Sequence, residues 1–426
     1  MTVRVIHGDM LDVLPTLSGL DACVCDPPYH LTNNTGTRSP YPGQYTPIGR
    51  PKEPKGGFMG KQWDGGDIAF RPETWRLVLD ALKPGAYLLA CGGTRTSHRM
   101  TCAIEDAGFE IRDTLCWLYG SGFPKSLDVS KAIDKAAGAT REIVGVREYA
   151  GGHVQRSSAD KLAPPIGTFV RTQDDRLETI PATPEAAAWA GWGTALKPAH
   201  EPIILARKPL QGTVAANVLR HGTGAINVDA CRVGIDEGER DVIDNRSGVG
   251  FGTGNTVGGN QGRAEGVFKS HSAGRWPANV LHDGSAEVEA VFAAFGERTS
   301  GVERGERGTG GIWSPSSGVP CGPQYGDTGS ASRFFYCAKA DAGDRADSRH
   351  PTVKPVALMR WLVRLVTPPG GTVLDPFAGS GTTGEAAMLE GFNALLVEQD
   401  AQHAADIRHR IARWSGADLP LLRATA

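Results

Sequence analysis

Residues 25–30 of the chain read CDPPYH, a carboxylate followed by two prolines and a tyrosine. Proline cannot extend a helix and cannot donate to a sheet ladder, so Asp26 is expected to end a strand. Pro27 and Pro28 would then begin a stiff loop that carries Tyr29. In open α/β sheets, ligands bind beyond the carboxyl ends of the strands. The stretch therefore predicts a binding or catalytic site.

A second motif, LDPFAGSGTT at 374–383, reads as a strand that ends at Asp375 and a glycine-rich turn that enters a helix. Gly379 and Gly381 would let a ligand approach the backbone, and free N–H groups at the helix N-terminus attract an anion. A P-loop is excluded, because that motif requires a lysine that this turn lacks.

Residues 379–384 fit the dinucleotide fingerprint G-x-G-x-x-G formally, which is weak evidence by itself. The acid at the end of the next predicted strand, Glu398, strengthens it, because a carboxylate there can accept hydrogen bonds from a ribose diol. The two motifs together predict a site for a nucleoside that carries a small anionic group, and a diphosphate is not required.

Apolar runs and turn signals predict alternating strands and helices at both ends of the chain. The N-terminal part has strands at Val3–Ile6, Ala22–Cys25, Ala86–Cys91 and Ile111–Leu118, with helices at Met10–Leu17, Glu73–Leu82 and Ser97–Ala107. The C-terminal part has helices at Val356–Val366 and Thr383–Leu389, with strands at Thr372–Leu374 and Asn393–Val397. This alternation is typical of α/β folds with a parallel sheet.

The middle of the chain is less regular. Residues 31–67 are predicted to form a long loop, followed later by a helix at Ser126–Ala137 and a strand at Pro202–Ala206. Residues 209–335 show no regular alternation and include the glycine-rich stretch 247–263, which cannot bury much of a core. We therefore predict one sheet built from both ends, with the middle inserted as a separate lobe.

Composition sets broad limits on the function. The 426 residues carry a net charge of −2, which argues against a protein that is basic all over but leaves room for a local basic cleft that binds nucleic acid. The N-terminus does not read as a signal peptide, and we find no apolar run long enough to span a bilayer. The eight cysteines form no zinc or disulfide pattern. A cytoplasmic protein without a metal site is expected.

The motifs DPPY and DPFAGSGTT, together with HPTVKP at 350–355, resemble the amino-methyltransferases that methylate an exocyclic amine of a DNA base. The order of the motifs is that of the β group, with DPPY first and the cofactor motifs last. The run SRFFYCAKA at 332–340 is similar to phage and prophage members. The resemblance covers about half the chain. It implies a Rossmann-like class I methyltransferase sheet with permuted motif order and an inserted target-recognition region.

The same resemblance implies a domain plan. Residues 1–120 would be the catalytic half of the methyltransferase domain, 121–200 an insertion with a helix, 201–208 a sheet strand, 209–335 the target-recognition region and 336–426 the cofactor-binding half.

The resemblance also assigns catalytic roles to Asp26, Pro27, Pro28 and Tyr29. Asp26 and the carbonyl oxygen of Pro27 would accept hydrogen bonds from the exocyclic amine, and Tyr29 would stack on the base. The base must leave the duplex to reach such a pocket.

The implied cofactor is S-adenosyl-L-methionine. Asp9 beside Met10 would accept from its adenine amine, and Glu398 would hold its ribose hydroxyls. Thr352 and Lys354 would lie near its methionine carboxylate. The remaining predicted contacts lie in the glycine-rich motif and comprise Asp375, Phe377, Ala378, Gly379, Ser380, Gly381 and Thr382.

An aspartate at the first motif position is typical of adenine-N6 enzymes, whereas serine is typical of cytosine-N4 enzymes, so adenine N6 in double-stranded DNA is the favoured target. Cytosine N4 remains the alternative, as does an inactive or RNA-directed relative that only binds nucleosides. The family also implies a homodimer. We find no nuclease motif, so a restriction endonuclease partner would be a separate chain.

Several residues keep a structural alternative. Asp9 could simply cap the following helix, and Lys354 could be a surface charge. RWPANV at 275–280, with Arg263, Lys269 and Arg275, could contact DNA or be solvated. His200 and Glu201 resemble metal ligands only superficially, because no third ligand follows at a useful spacing.

Overall fold

The computed structural model describes residues 1–29, 67–120, 122, 126–146, 177–235, 273–299, 328–339, 341–345, 348, 350 and 352–414. The predicted loop 31–67 lies outside them except for its last residue, as do the glycine-rich stretch 247–263, Arg263 and Lys269. The chain divides into two compact units. The sheet unit comprises Met1–Gly120, His200–Ser348 and Lys354–Ala426, and the small unit comprises Ser121–Ala199 and Arg349–Val353.

The described strands are, in chain order, β1 (Val3–His7), β2 (Leu20–Cys25), β3 (Leu82–Cys91), β4 (Glu110–Leu118), β5 (Ile143–Val146), β6 (Leu177–Thr179), β7 (His200–Arg207), β8 (Val280–His282), β9 (Arg298–Thr299), β10 (Thr328–Gly329), β11 (Tyr336–Cys337), β12 (Thr372–Asp375) and β13 (Asn393–Glu398). Nine of them form one sheet in the described part of the chain, in the order β1-β13-β12-β2-β3-β7-β4-β8-β11. All neighbours in this sheet are parallel except β7, which runs antiparallel to both β3 and β4.

The described helices are α1 (Met10–Val13), α2 (Pro72–Ala81), α3 (Ser97–Asp106), α4 (Val129–Ala136), α5 (Pro184–Ala188), α6 (Val214–His221), α7 (Ala286–Ala293), α8 (Val356–Val366), α9 (Thr382–Leu389) and α10 (Ala401–Ala412). No helix in the described ranges is both long and apolar enough to cross a membrane.

Strand β2 shows why the sheet forms. All six of its residues are buried, as expected for a strand covered by helices on both faces. Successive side chains point to opposite faces. Val24 accordingly packs in one core with Leu362 of α8, whereas Cys25 packs in a second core with Trp75 of α2 and Ile104 of α3. The result is a three-layer arrangement of helix, sheet and helix.

The structure confirms the predicted α/β fold and its large, mostly parallel sheet. It corrects the sequence-based reading in three places. The middle of the chain is not a separate lobe as a whole, because β7 and β8 join the nine-stranded sheet and residues His200–Ser348 belong to the sheet unit. The helix predicted at Ser126–Ala137 begins only at Val129, because Asp128 caps it by accepting the N–H of Lys131 at 3.0 Å. The expected lack of regular structure in 209–335 is wrong in part, since α6, α7 and β8 lie there.

The small unit contains α4, α5 and the hairpin pair β5 and β6. Its centre is the buried carboxylate of Asp134, which pairs with Arg141 at 2.6 Å and accepts the hydroxyl of Thr183 at 2.8 Å. These bonds tie both helices of the unit to the hairpin, because Arg141 also donates to Thr179 of β6.

Candidate active site

The candidate active site lies along one edge of the nine-stranded sheet, where neighbouring strands present their ends. Glu398 ends β13, Asp375 ends β12, Asp26 follows β2 and Cys91 ends β3. Because β7 runs antiparallel to β3, its second residue, Glu201, reaches this same edge near its start. The edge thus brings four carboxylates and a thiol together from five adjacent strands.

The loop after β2 holds its own carboxylate and phenol together. The Tyr29 hydroxyl donates to Asp26 Oδ1 at 2.5 Å, and Thr96 Oγ1 donates to the Tyr29 carbonyl at 2.9 Å. The Asp26 side chain is 25% exposed, whereas Pro27 is buried. A proline-stiffened loop that is fastened at its far end presents the Asp26 carboxylate to any ligand at the sheet edge.

Lys354 joins this loop to β7. Its Nζ lies 3.0 Å from Asp26 Oδ2 and 2.9 Å from Glu201 Oε1, and it donates to the Tyr29 hydroxyl at 2.9 Å. The ammonium also lies 5.2 Å from the centre of the Tyr29 ring, within range of a cation–π contact. The structure thus places Lys354 against the predicted catalytic loop, and its predicted contact with the cofactor stays a prediction.

Burial and the charge of neighbouring groups shift the pKa values in opposite directions for Lys354 and Glu201, and in the same direction for Tyr29. Burial lowers the pKa of Lys354, but Asp26 and Glu201 outweigh it and raise that pKa above its usual value. Burial, followed by the two nearby carboxylates, raises the pKa of Tyr29 well above its usual value. Burial raises the pKa of Glu201, although Lys354 opposes the shift. Lys354 and Tyr29 are therefore both protonated at neutral pH.

Ligand-type atoms of Asp26, Cys91 and Glu201 lie within 4.8 Å of one another. The Lys354 ammonium already lies at hydrogen-bonding distance from both carboxylates and supplies their positive charge. Burial also raises the pKa of the Cys91 thiol well above its usual value, which disfavours the thiolate that a metal would need. We assign no metal to these three residues.

Asp375 organises the glycine-rich turn. Its Oδ1 accepts the Phe377 N–H at 3.0 Å and its Oδ2 accepts the Thr383 hydroxyl at 2.5 Å. Burial raises the pKa of Asp375 to about 7, although both of these hydrogen bonds lower it. Ser380 and Thr382 share a further hydroxyl–hydroxyl bond of 2.9 Å within the turn. The Asp375 carboxylate therefore holds the backbone of the turn in place through its two hydrogen bonds.

Each of the three glycines of the fingerprint has a structural reason: the backbone angle requires two of them, and close packing requires the third. Gly379 and Gly381 have φ angles of +50° and +78°, which side chains other than glycine rarely adopt. A Cβ on Gly384 would lie 2.5 Å from Leu396 Cδ1, so this glycine lets α9 pack directly on β13. Close helix-to-strand packing is the role that the third glycine has in nucleotide-binding turns.

Glu398 is 8% exposed and is held by two backbone groups. Its Oε2 accepts the Gly379 N–H at 2.7 Å and its Oε1 accepts the Asp400 N–H at 2.9 Å. Burial raises its pKa, against these two hydrogen bonds. A carboxylate has about four acceptor sites, so two stay available for the hydroxyls of a ribose.

The remaining predicted cofactor residues lie in several places. Asp9 is exposed and caps α1 by accepting the Leu11 N–H at 2.9 Å, while Met10 is buried beneath it. The Ala378 N–H donates to the carbonyl of Val397 at 3.0 Å, which joins the turn to β13. Thr352 belongs to the small unit, where its carbonyl lies 2.5 Å from His350 Nδ1.

A second surface of the sheet unit combines three arginines with aromatic rings. Arg232, Arg275 and Arg333 line a cleft of about 440 Å³ that also contains Glu289. Arg232 lies 5.2 Å from the ring centre of Trp276, and Arg275 and Arg333 lie 5.1 and 4.4 Å from that of Phe334. Trp276 is 67% and Phe334 38% exposed. We call these five cationic and aromatic residues the arginine–aromatic patch.

Sequence reasoning missed two contributors to the site. Glu201 was considered only as a metal ligand, although PAHEP begins a strand whose start reaches the site edge. Thr96 was not considered, although it fastens the loop of Tyr29. The available signal was the acid at the start of a predicted strand, but its relevance depends on the direction of that strand.

The family model described as DNA methylase matches residues 20–409 of this chain. Among curated proteins, the chain is 37% identical over 59 residues to the Type II methyltransferase M2.MboI of Moraxella bovis. The aligned stretch covers 14% of this chain and 22% of that protein. It is 43% identical over 54 residues to the DNA adenine methyltransferase YhdJ of Escherichia coli K12, covering 13% and 18%. The chain thus spans only about a fifth of the length of each of these relatives.

Among solved structures, the cytosine-N4-specific PvuII DNA methyltransferase aligns with 96% of this chain and 86% of its own, at 12% identity and a TM-score of 0.40. A TM-score this low carries no argument about function. The family match is of a different kind, because it covers most of the chain and includes both DPPY and DPFAGSGTT. The chain therefore belongs to the DNA methylase family that includes N6- and N4-directed enzymes.

Proposed function

We propose that this protein transfers a methyl group from S-adenosyl-L-methionine to the N6 amine of an adenine that has been flipped out of double-stranded DNA. The observation that carries the proposal is the placement of Asp26 and the Asp375 turn on the ends of adjacent strands, β2 and β12. A hydrogen-bond acceptor for an amine and a nucleoside-binding turn are thereby neighbours.

The glycine-rich turn and its neighbours fit the cofactor. Gly379 and Gly381 leave the backbone open to a ligand, and Glu398 offers acceptor sites to a ribose. Asp9 follows β1, whose strand pairs with β13 up to Glu398, so its carboxylate lies at the same edge. When bound, S-adenosylmethionine supplies a methyl group on a positively charged sulfur.

The catalytic loop would prepare the target amine. An exocyclic amine is a poor nucleophile because its lone pair is delocalised into the ring. Asp26 and the carbonyl of Pro27 would accept its two N–H hydrogens and draw the nitrogen towards a pyramidal geometry, while Tyr29 would stack on the base. The new N–C bond forms as the S–C bond breaks, the sulfur keeps the bonding electrons, and the nitrogen loses one proton to solvent. Alignment of the reacting atoms then supplies most of the acceleration.

The choice of adenine rests on Asp26 as the first residue of the motif, since serine is typical there in cytosine-N4 enzymes. The curated relative YhdJ is named an adenine methyltransferase, and the family to which the chain belongs includes N4-directed as well as N6-directed enzymes. Cytosine N4 is therefore the competing target, and the product of the reaction distinguishes the two.

Double-stranded DNA fits the charge of the arginine–aromatic patch. Arginine contacts to phosphates supply much of the affinity of DNA-binding proteins, and exposed rings stack on displaced bases. The net charge of −2 is no obstacle, because binding needs only a local positive surface. Cytoplasmic location remains a proposal that follows from the N-terminal sequence and the cysteine pattern. A homodimer and a separate restriction endonuclease remain proposals that follow from the family, and the sedimentation velocity of the purified protein tests the dimer.

The deciding experiment incubates purified protein with methyl-labelled S-adenosylmethionine and unmethylated plasmid, followed by digestion to nucleosides and mass spectrometry. We expect labelled N6-methyldeoxyadenosine from the wild type, none from Asp26→Ala, and full labelling from the matched control Asp12→Ala, whose carboxylate is exposed on α1. Asp26→Ala should still bind the cofactor. Labelled N4-methyldeoxycytidine would overturn the choice of base, and absence of label on DNA would overturn the proposed function.

A further inference from the structure

The ammonium of Lys354 and the carboxylate of Glu201 have no role in the transfer described above, yet they form the most densely bonded cluster at the site edge. We propose that they are positioning residues: Glu201 holds the Lys354 ammonium, and that ammonium holds the Asp26 carboxylate and the Tyr29 hydroxyl in place. The proposal rests on the proposed function, since it concerns how Asp26 accepts hydrogen bonds from the target amine.

The ammonium of Lys354 has three partners within the chain. An ammonium carries three N–H donors and no acceptor. The three acceptors around Nζ are Asp26 Oδ2 at 3.0 Å, the Tyr29 hydroxyl at 2.9 Å and the Glu201 carboxylate at 2.9 and 3.1 Å. Two of these contacts, to the Tyr29 hydroxyl and to Glu201 Oε2, are hydrogen bonds, and the contact with Asp26 is an ion pair. The geometry therefore favours a role in the catalytic loop over the cofactor contact that the motif implied.

The charges of the cluster explain why a cation is needed. Asp26 and Glu201 bring two carboxylates to within 4.8 Å, and the Glu201 side chain is only 12% exposed. Two carboxylates at such a distance repel each other unless a cation lies between them. Lys354, itself 13% exposed, occupies that position. It thereby offsets the repulsion and holds the Asp26 carboxylate in place as an acceptor.

Glu201 in turn limits how strongly Lys354 binds Asp26. If Glu201 were neutral, the ammonium would have a single charged partner and would compete with the target amine for the Asp26 oxygens. Glu201 shares the ammonium, so the amine can take its place beside Asp26. Other titratable groups face the two carboxylates from neighbouring elements: Tyr29 on the loop itself, Cys91 at the end of β3, Tyr119 after β4 and Asp375 at the end of β12.

The test is the pH dependence of methyl transfer under single-turnover conditions, for the wild type, Lys354→Met, Glu201→Gln, the double variant and Lys354→Arg. Lys354→Met should move the acidic limb of the profile at least one pH unit upward, because the two neighbouring carboxylates then have no cation between them. At a pH on that limb, one unit equals a tenfold loss of rate. Lys354→Arg keeps the cation and should leave the limb at its wild-type pH.

Glu201→Gln should act with the opposite sign. As a single variant it should lower the rate of methyl transfer severalfold. The acidic limb of the pH profile should move to lower pH or stay in place, because the negative charge of Glu201 beside Asp26 is gone. Added to Lys354→Met, it should move the limb back towards that of the wild type, so that the double variant is faster than Lys354→Met on the acidic side. This rescue is an effect that loss of structure alone cannot produce.

Two results would overturn the proposal while the wild type still methylates DNA. One is a uniform loss of rate in Lys354→Met with an unshifted limb and no rescue by Glu201→Gln. The other is a tenfold or greater loss of S-adenosylmethionine affinity in Lys354→Met, measured by calorimetry, which would place the ammonium on the cofactor. If Lys354→Met fails to fold in a thermal melt, an upward limb shift in Glu201→Gln alone would also overturn it.

Discussion

The contact between Gly384 and Leu396 tests whether the glycine-rich turn is set by the packing of α9 on β13. A Cβ added at Gly384 would lie 2.5 Å from Leu396 Cδ1 and 3.3 Å from Ile411 Cδ1. Leu396 is completely buried in the core, so its methyl group has little room to swing away. The variant Gly384→Ala should therefore push the helix away from the strand.

Two opposing effects set the change in the free energy of unfolding that Gly384→Ala causes. Gly384 is the third residue of α9, where alanine is favoured over glycine by at most about 1 kcal/mol. Overpacking of a tight core typically costs about 1–3 kcal/mol. We expect a net destabilisation of roughly 0–2 kcal/mol for Gly384→Ala. Leu396→Val, which removes the clashing carbon, should cost roughly 0.5–1.5 kcal/mol by leaving a small cavity.

The double variant separates packing from other causes. In Gly384→Ala/Leu396→Val the new methyl group fills the space that Leu396 leaves, so both penalties fall while the propensity gain of alanine remains. The double variant should be more stable than the sum of the single variants predicts, by about 1–3 kcal/mol, which is typical of residues in direct contact. Urea unfolding followed by circular dichroism gives the free energies.

The control is Gly234→Ala, where an added Cβ meets no atom within 4 Å and the φ angle is ordinary. Its effect should stay within about 0.5 kcal/mol. The affinity for S-adenosylmethionine should fall in Gly384→Ala and recover in the double variant, because Gly381 and the turn move with α9. Additive free energies, or a single variant Gly384→Ala that is stabilised by the full propensity gain, would refute the packing argument.

Two further predictions follow from the charges. Because the pKa of Asp375 is raised to about 7 from an ordinary value of 3.8, the folded state binds more protons than the unfolded chain between these values, so stability should fall as the pH rises from about 4 to about 7. Asp375→Asn should flatten that part of the stability profile in urea titrations at several pH values, and an unchanged profile would contradict the assignment. Arg275→Ala and Arg333→Ala in the arginine–aromatic patch should each weaken DNA binding and reduce the slope of log affinity against log salt by about one, whereas the exposed Arg4→Ala should not. Equal slopes in all three variants, measured by fluorescence anisotropy, would exclude the patch from phosphate contacts.

Local sequence signals were sufficient for the elements that form the sheet and carry the two motifs. The apolar run Ala22–Cys25 of β2 ends where DPPY begins, and β12 ends where its glycine-rich turn begins. Each of these boundaries is fixed by residues within a few positions of it, because proline and glycine act on their own backbone. The strand ends could therefore be predicted without knowledge of the rest of the fold.

Helix α6 carries capping residues at both ends that predict it from the sequence. Thr213 caps it by accepting the Ala216 N–H at 3.2 Å, and Gly222 ends it with a φ of +74°. The pattern of an N-terminal threonine and a C-terminal glycine is a known helix signature. The lack of regular alternation across 209–335 as a whole predicts no such helix, so the expectation for residues 214–221 is wrong.

The partners of Lys354 and Glu201 could not be predicted from the sequence. Their positions are 153 residues apart, and the contact exists only because distant strands become neighbours in the sheet. Motif resemblance assigned Lys354 to the cofactor and gave Glu201 no role. Tertiary contacts of this kind depend on strand order and direction, which apolar periodicity does not reveal.

The direction of β7 decides the charge of the site. The strand carries Glu201 near its start and Arg207 at its end. The two charges therefore lie at opposite ends of the strands of the sheet, about 20 Å apart at 3.3 Å per residue. In the antiparallel direction, Arg207 pairs with Glu110 at the far edge, at 2.6 Å. In a parallel direction, Arg207 would lie beside Lys354, and Glu201 would not reach the ammonium. The single antiparallel strand among the nine described strands of the sheet therefore supplies the acid that the Asp26–Lys354 pair needs.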